Sequence, residues 1–130
     1  MLAALRPQGV VAVQRAVGAY VDPIGVYTYD EALAALRSRQ DVDLVICGVF
    51  FDETRMFDLL RAVRQEFPDI PFVCCRVGER ELPPVSLEAI GIAAKSMGAA
   101  GIISLPLLQP NDIADQEFRS FVLRHVRRRP

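Results

Sequence analysis

Between Val42 and Phe51 the chain is apolar at every position except Asp43 and Gly48. A run this short and this continuous reads as a strand buried on both faces, the state of a parallel sheet covered by helices. Phe72-Val73-Cys74-Cys75 and Gly101-Ile102-Ile103 read the same way, and Ile24 to Tyr29 is rich in β-branched and aromatic residues. Helix-period segments separate these runs. Asp30 to Ser38 carries Leu33 and Leu36 behind a capping box of Thr28 and Glu31. Thr54 to Phe67 carries Phe57, Leu60 and Val63 and stops at Pro68. Leu87 to Met97 is capped by Ser86 and ends at Gly98, and Asn111 to Arg128 is a long final helix.

The first twenty residues admit two readings. Val10, Val11 and Val13 can form a strand, but about ten residues then remain before the Ile24 strand, which is short for a crossover helix. Val10, Val13, Val17 and Val21 recur at helical intervals instead. The spacing therefore favours Leu2 to Leu5 as the first strand and Gln8 to Val21 as the first helix. Five strands then alternate with five helices. This predicts a flavodoxin-like, doubly wound α/β sandwich in three layers, with a five-stranded parallel sheet in the order 2-1-3-4-5.

The 130 residues suit one domain, residues 1–130, with a core of its own. No apolar run approaches the length of a membrane span, and Met1 to Arg6 is too short and wrongly ordered for a signal peptide. The formal net charge of −1 provides no global field toward nucleic acid. Cys47, Cys74 and Cys75 all lie in apolar segments, as reduced core thiols of a cytoplasmic protein would. With one histidine, His125, there is no His/Cys metal set, and neither a Gly-x-Gly-x-x-Gly nor a P-loop pattern is present. No cofactor is expected.

Asp43-Leu44-Val45-Ile46-Cys47-Gly48, followed by Phe57-Asp58-Leu59-Leu60-Arg61, resembles the third strand and third helix of response-regulator receiver domains, without a gap. Ile70-Pro71-Phe72-Val73-Cys74-Cys75-Arg76 resembles their fourth strand. Met97-Gly98-Ala99-Ala100-Gly101-Ile102-Ile103-Ser104-Leu105-Pro106 is similar to their Gly-Ala-x-Gly-[Phe/Tyr]-[Ile/Leu]-x-Lys-Pro stretch. The resemblance covers nearly the whole chain in order.

The departures fall on the phosphorylation chemistry that the resemblance would imply. Gly48 stands at the phosphoacceptor aspartate, Leu5 and Arg6 near the acidic pair, Arg76 at the Ser/Thr position, and Leu105 at the lysine. Glycine offers no nucleophilic oxygen, and leucine and arginine do not bind magnesium. The groups that would surround the transferring oxygens are missing as well. The sequence thus predicts a non-phosphorylatable pseudo-receiver, not an enzyme, acting as a protein–protein interaction module in bacterial two-component phosphorelay signalling. Asp52 and Glu53 read as solvated loop carboxylates beside a helix N-terminus rather than substitute acceptors.

Arg6 and Arg76 are expected near the vacated site, at the carboxyl edge of the sheet where ligands of open α/β folds bind. They can cradle an anion, which would make the domain a small-ligand or anion sensor. The favoured reading pairs them with Asp52, Glu53 or Glu79. The basic end Arg124-His125-Val126-Arg127-Arg128-Arg129 offsets a helix dipole and lacks the aromatic interleaving of a nucleic-acid site. His125 shares a stripe with Phe118, Phe121 and Val122 and is expected to be packed.

The fourth predicted helix is apolar on two sides. Leu87, Ile90, Ala94 and Met97 suit the core, while Val85, Ala89, Ile92 and Ser96 leave an apolar or small outer stripe. In receiver domains, by resemblance, the fourth helix, fifth strand and fifth helix commonly form the signalling and dimer face. A homodimer or constitutive partner contact through this helix is expected, unless the Val77 to Val85 loop or the final helix covers it.

Overall fold

The computed structural model describes residues 1–77, 84–105 and 112–126. Five strands, β1 (Leu2–Ala4), β2 (Ile24–Val26), β3 (Val45–Gly48), β4 (Phe72–Val77) and β5 (Gly101–Leu105), alternate with five helices, α1 (Pro7–Val17), α2 (Tyr29–Ser38), α3 (Met56–Glu66), α4 (Pro84–Ser96) and α5 (Asp112–His125). All pairings are parallel and the order is β2-β1-β3-β4-β5, as the alternation predicts. The valines of residues 10–17 lie on α1, and β1 runs between β2 and β3.

Strand alternation divides the core in two. Leu2, Ala4, Val45, Cys47, Phe72 and Cys74 pack under α2, α3 and α4 with Leu33, Leu59, Leu60 and Ala94. Ala3, Leu5, Leu44, Ile46, Val73, Cys75 and Leu105 pack under α1 and α5 with Val13, Val17, Phe118 and Val122. The sheet is therefore buried on both faces.

Several boundaries differ from those expected of the sequence, each for a local reason. Only Val45–Gly48 of the apolar run pairs as strand. Phe51 is buried beyond it, in a turn where Asp52 and Glu53 take φ of 45° and 66° and delay α3 to Met56. Helix α1 ends at Val17, short of Val21: Gly18 still bonds the Gln14 carbonyl, but the Tyr20 and Val21 amides both turn back to the Val17 carbonyl. Ser86 does not cap α4. The helix already begins at Pro84, and proline is well suited to a first helical turn. The Thr28 hydroxyl does accept the Glu31 N–H at 3.1 Å, while the Glu31 carboxylate reaches back to the Tyr27 amide, one residue before the usual capping-box partner.

Two polar links tie α1 to α5. Arg15 of α1 donates Nε and a terminal nitrogen to the two oxygens of Asp115 on α5 at 3.0 and 2.9 Å. Arg119 donates to the Ala16 carbonyl at 2.9 Å and lies over the Tyr20 ring. His125 is packed as expected, stacked on Phe121 with its Nδ1 2.8 Å from the Phe121 carbonyl. No helix among the described residues is long and apolar enough to cross a membrane.

Candidate functional site

The carboxyl ends of β1, β3, β4 and β5 carry Leu5, Gly48, Arg76 and Leu105. The register sets Gly48 beside Cys75, Arg76 beside Ser104 and Val77 beside Leu105. Leu5 follows β1 directly, and its pleat turns it toward α1.

Leu5 is 2% exposed and is held between two glycines. A Cβ on Gly48 would stand 3.0 Å from Leu5 Cδ2, and a Cβ on Gly9, in the first turn of α1, would stand 3.1 Å from Leu5 Cβ. The space a side chain at position 48 would enter is therefore taken by leucine. Cys75 and Leu105, equally buried, belong to the same apolar cluster. Gly9 has no counterpart among the residues that the sequence singles out. A glycine in a helix shows only as a propensity defect, and its packing reason needs the neighbouring strand.

Two arginines stand at this edge. Arg6 is exposed, with its guanidinium 5.9 Å from the centre of the Phe50 ring. Arg76 is half-buried on β4. Arg76 lies on β4, and Arg6 is the residue before α1, just past β1, so β3 runs between the two strands that lead to them. Val49 continues β3 between them, its amide bonded to the Cys75 carbonyl at 3.1 Å.

Asp52 is engaged by α2. Its Oδ2 accepts the backbone N–H of Tyr29, the first residue of α2, at 2.9 Å. Arg55 lies 4.0 Å over the Tyr29 ring and bonds Asp58 at 3.3 Å. Asp52 thus acts as a remote helix cap, and Glu53 is exposed. Glu79, the third candidate partner of Arg76, lies outside the described residues. No group of three or more His, Cys, Asp or Glu side chains among the described residues is placed to hold a metal ion.

Burial controls the thiols. Removal from water pushes Cys47 well above its ordinary pKa and raises Cys75 too, and it moves Cys74 from 9.0 to about 11. These thiols are poor nucleophiles at neutral pH.

On α4, Gly91 and Ala94 are buried, and a Cβ on Gly91 would stand 3.4 Å from Ile102 of β5. The opposite side is open: Ile92 is 64% exposed, and Ala89, Ala93 and Ser96 are exposed beside it. The Val85 side chain lies outside the described residues.

No protein-family model matches the chain, and no curated protein matches it. Solved structures do. NtrX from Brucella abortus superposes with a TM-score of 0.72 at 18% identity, over 95% of this chain and 25% of that one. A putative response regulator from Chloroflexus aurantiacus gives 0.68 at 20% identity, over 95% and 93%. The N-terminal signal receiver domain of a two-component response regulator from Bacteroides fragilis gives 0.71 at 14%, over 98% and 95%. The chain thus spans about a quarter of the length of NtrX but nearly all of the two other chains. At these identities the likeness is one of fold, and that fold is the receiver fold of response regulators.

Proposed function

We propose that this chain is a degenerate receiver domain that does not carry a phosphoryl group and acts as a protein–protein interaction module in two-component signalling. One observation carries the reading: Leu5 fills the space beside Gly48, at the position where receiver domains by resemblance hold their phosphoacceptor. Three elements of phosphotransfer are replaced there at once. The nucleophile is glycine, a metal-binding acid gives way to a buried leucine, and the lysine is the buried Leu105. The reading includes a cytoplasmic location, a single domain over residues 1–130, and contact through the open side of α4.

Incubation with acetyl phosphate and magnesium, followed by intact mass measurement, tests it. No mass increase is expected. A base-labile adduct of one phosphoryl group would overturn the reading. Gly48→Asp alone is not expected to gain the adduct, since Leu5 obstructs the new carboxylate and magnesium lacks its other ligands.

The alternative, an anion sensor at Arg6 and Arg76, has less support. Val49 prolongs β3, the strand between those that lead to the two arginines, Leu5 packs against Gly48, and Arg6 is turned onto Phe50. A thermal shift with inorganic phosphate or sulfate, lost in Arg6→Ala, would favour the sensor.

A further inference from the structure

Folding gathers at the end of α5 cations and rings that the sequence does not interleave. From Phe118 to Pro130 the chain carries Arg119, Arg124, Arg127, Arg128 and Arg129 beside His125, and no acidic residue. The end of a helix is equivalent to about −0.5 charge. The ends of α1 and α5 together therefore offset only about one of these cations. The last three arginines lie outside the described residues.

Aromatic rings hold the other two. Arg119 donates to the Ala16 carbonyl near the end of α1, with its guanidinium 5.0 Å from the centre of the Tyr20 ring. Arg124 lies 5.8 Å from the centre of the Phe121 ring, on which His125 stacks with centroids 4.4 Å apart. Phe121 in turn borders β5, since a Cβ on Gly101 would stand 3.7 Å from its Cζ. A ring positions a guanidinium without neutralising it. Neither Arg119 nor Arg124 forms an ion pair among the described residues. Asp115 is already taken by both prongs of Arg15, and Glu117 is exposed and pairs with neither. Tyr20 is 59% exposed, so Arg119 leaves much of its ring open to water.

We infer that this end of the α1–α5 layer binds single-stranded nucleic acid. Backbone phosphates engage the arginines, and an unstacked base lies on Tyr20. Charge alone suits any polyanion. The exposed ring beside an arginine selects a base over the carboxylates of an acidic peptide or the headgroups of a membrane. Bases in a duplex are stacked on one another, so a single strand is what offers them to Tyr20. Helices α1 and α5 cover one core cluster and α4 the other, so this surface lies across the sheet from α4. It is also independent of the loss of phosphotransfer.

Fluorescence anisotropy of the full chain with a labelled oligo(dT) of about 12 nucleotides, the scale of a small single-strand site, tests the inference. Binding is expected at low salt and should weaken as salt rises, with a double-logarithmic slope of about −0.7 per phosphate neutralised. A duplex of the same length should bind more weakly. Tyr20→Leu should weaken binding about tenfold at every salt concentration, and Tyr20→Phe should retain it. Arg124→Ala should lower the affinity and reduce the slope by about 0.7. Arg124 is exposed, so this variant carries the test even where Tyr20→Leu loses its fold by circular dichroism. No binding of oligo(dT) at low salt overturns the inference. So does binding that is indifferent to Tyr20→Leu and matched by the duplex or by phosphatidylserine vesicles, which marks a surface for anions in general.

Discussion

Leu5 and Gly48 share one space: the leucine Cδ2 lies 3.0 Å from where a Cβ on the glycine would stand. Leucine on one strand is accommodated by the absence of a side chain on its neighbour. Gly48→Ala should cost about 1–2 kcal/mol by forcing Leu5 to shift. Leu5→Ala should cost about 2–5 kcal/mol through the cavity it leaves. In urea unfolding the double variant should be less destabilised than the sum of the two, because each change relieves the other. Simple additivity would show that the two do not compete for space.

Asp52 combines a left-handed backbone with a bond to the Tyr29 amide, and substitutions separate the two roles. Asp52→Asn keeps an acceptor and tolerates the conformation, so its melting temperature should stay close to wild type. Asp52→Gly loses the bond but relaxes the backbone. Asp52→Ala loses the bond and keeps the strain, for a cost of about 1–3 kcal/mol. Alanine as stable as glycine at this position would refute the strain component.

The Arg15–Asp115 pair is two-pronged and its carboxylate is largely buried, with 10% exposure. Asp115→Ala should destabilise by about 2 kcal/mol, with little dependence on salt. Arg37 and Glu66 make an equally short pair at the surface, 2.7 Å apart. Arg37→Ala should scarcely move the melting temperature. Equal losses in the two variants would show that burial does not set the strength of these pairs.

Alkaline pH should weaken the fold through the thiols. An unfolded Cys74 loses its proton near 9.0, whereas the native residue retains it to about 11. Over that interval the unfolded chain binds fewer protons, so stability falls as pH rises, by about 1.4 kcal/mol per pH unit per fully protected thiol. Its contribution is intact below pH 9. Urea unfolding from pH 8 to 10.5 should show a smaller slope in Cys74→Ala than in the wild type, and identical slopes would exclude the thiol as the cause. Thiol alkylation of the native protein at pH 8 should likewise be slow, and rapid only in denaturant.

The parts of this molecule legible in its sequence are those written in local pattern. Continuous apolar runs mark β3 and β4 because both faces of each are covered. Even the three-residue β1 could be placed, since valines at helical spacing claimed the following segment for α1. Leu5, Gly48, Arg76 and Leu105 could be placed at the carboxyl edge of the sheet because the strand ends fix them. What pattern does not encode is contact between distant segments. Gly9 against Leu5 requires knowing how α1 leaves β1. Asp52 reads as a solvated acid because its partner amide, Tyr29, lies 23 residues away. The same holds for Ser86, which looks like a cap until Pro84 is seen to have started the turn.

The bond between Arg15 and Asp115 joins residues 100 positions apart. On a ribosome adding about 5–20 residues per second, α1 emerges roughly 5–20 s before the helix that covers it. During that interval Ala12, Val13, Ala16 and Val17, all buried in the finished fold, have only part of their cover. Helix α1 therefore waits longer for its full cover than any other helix, and gains it only once α5 has been made.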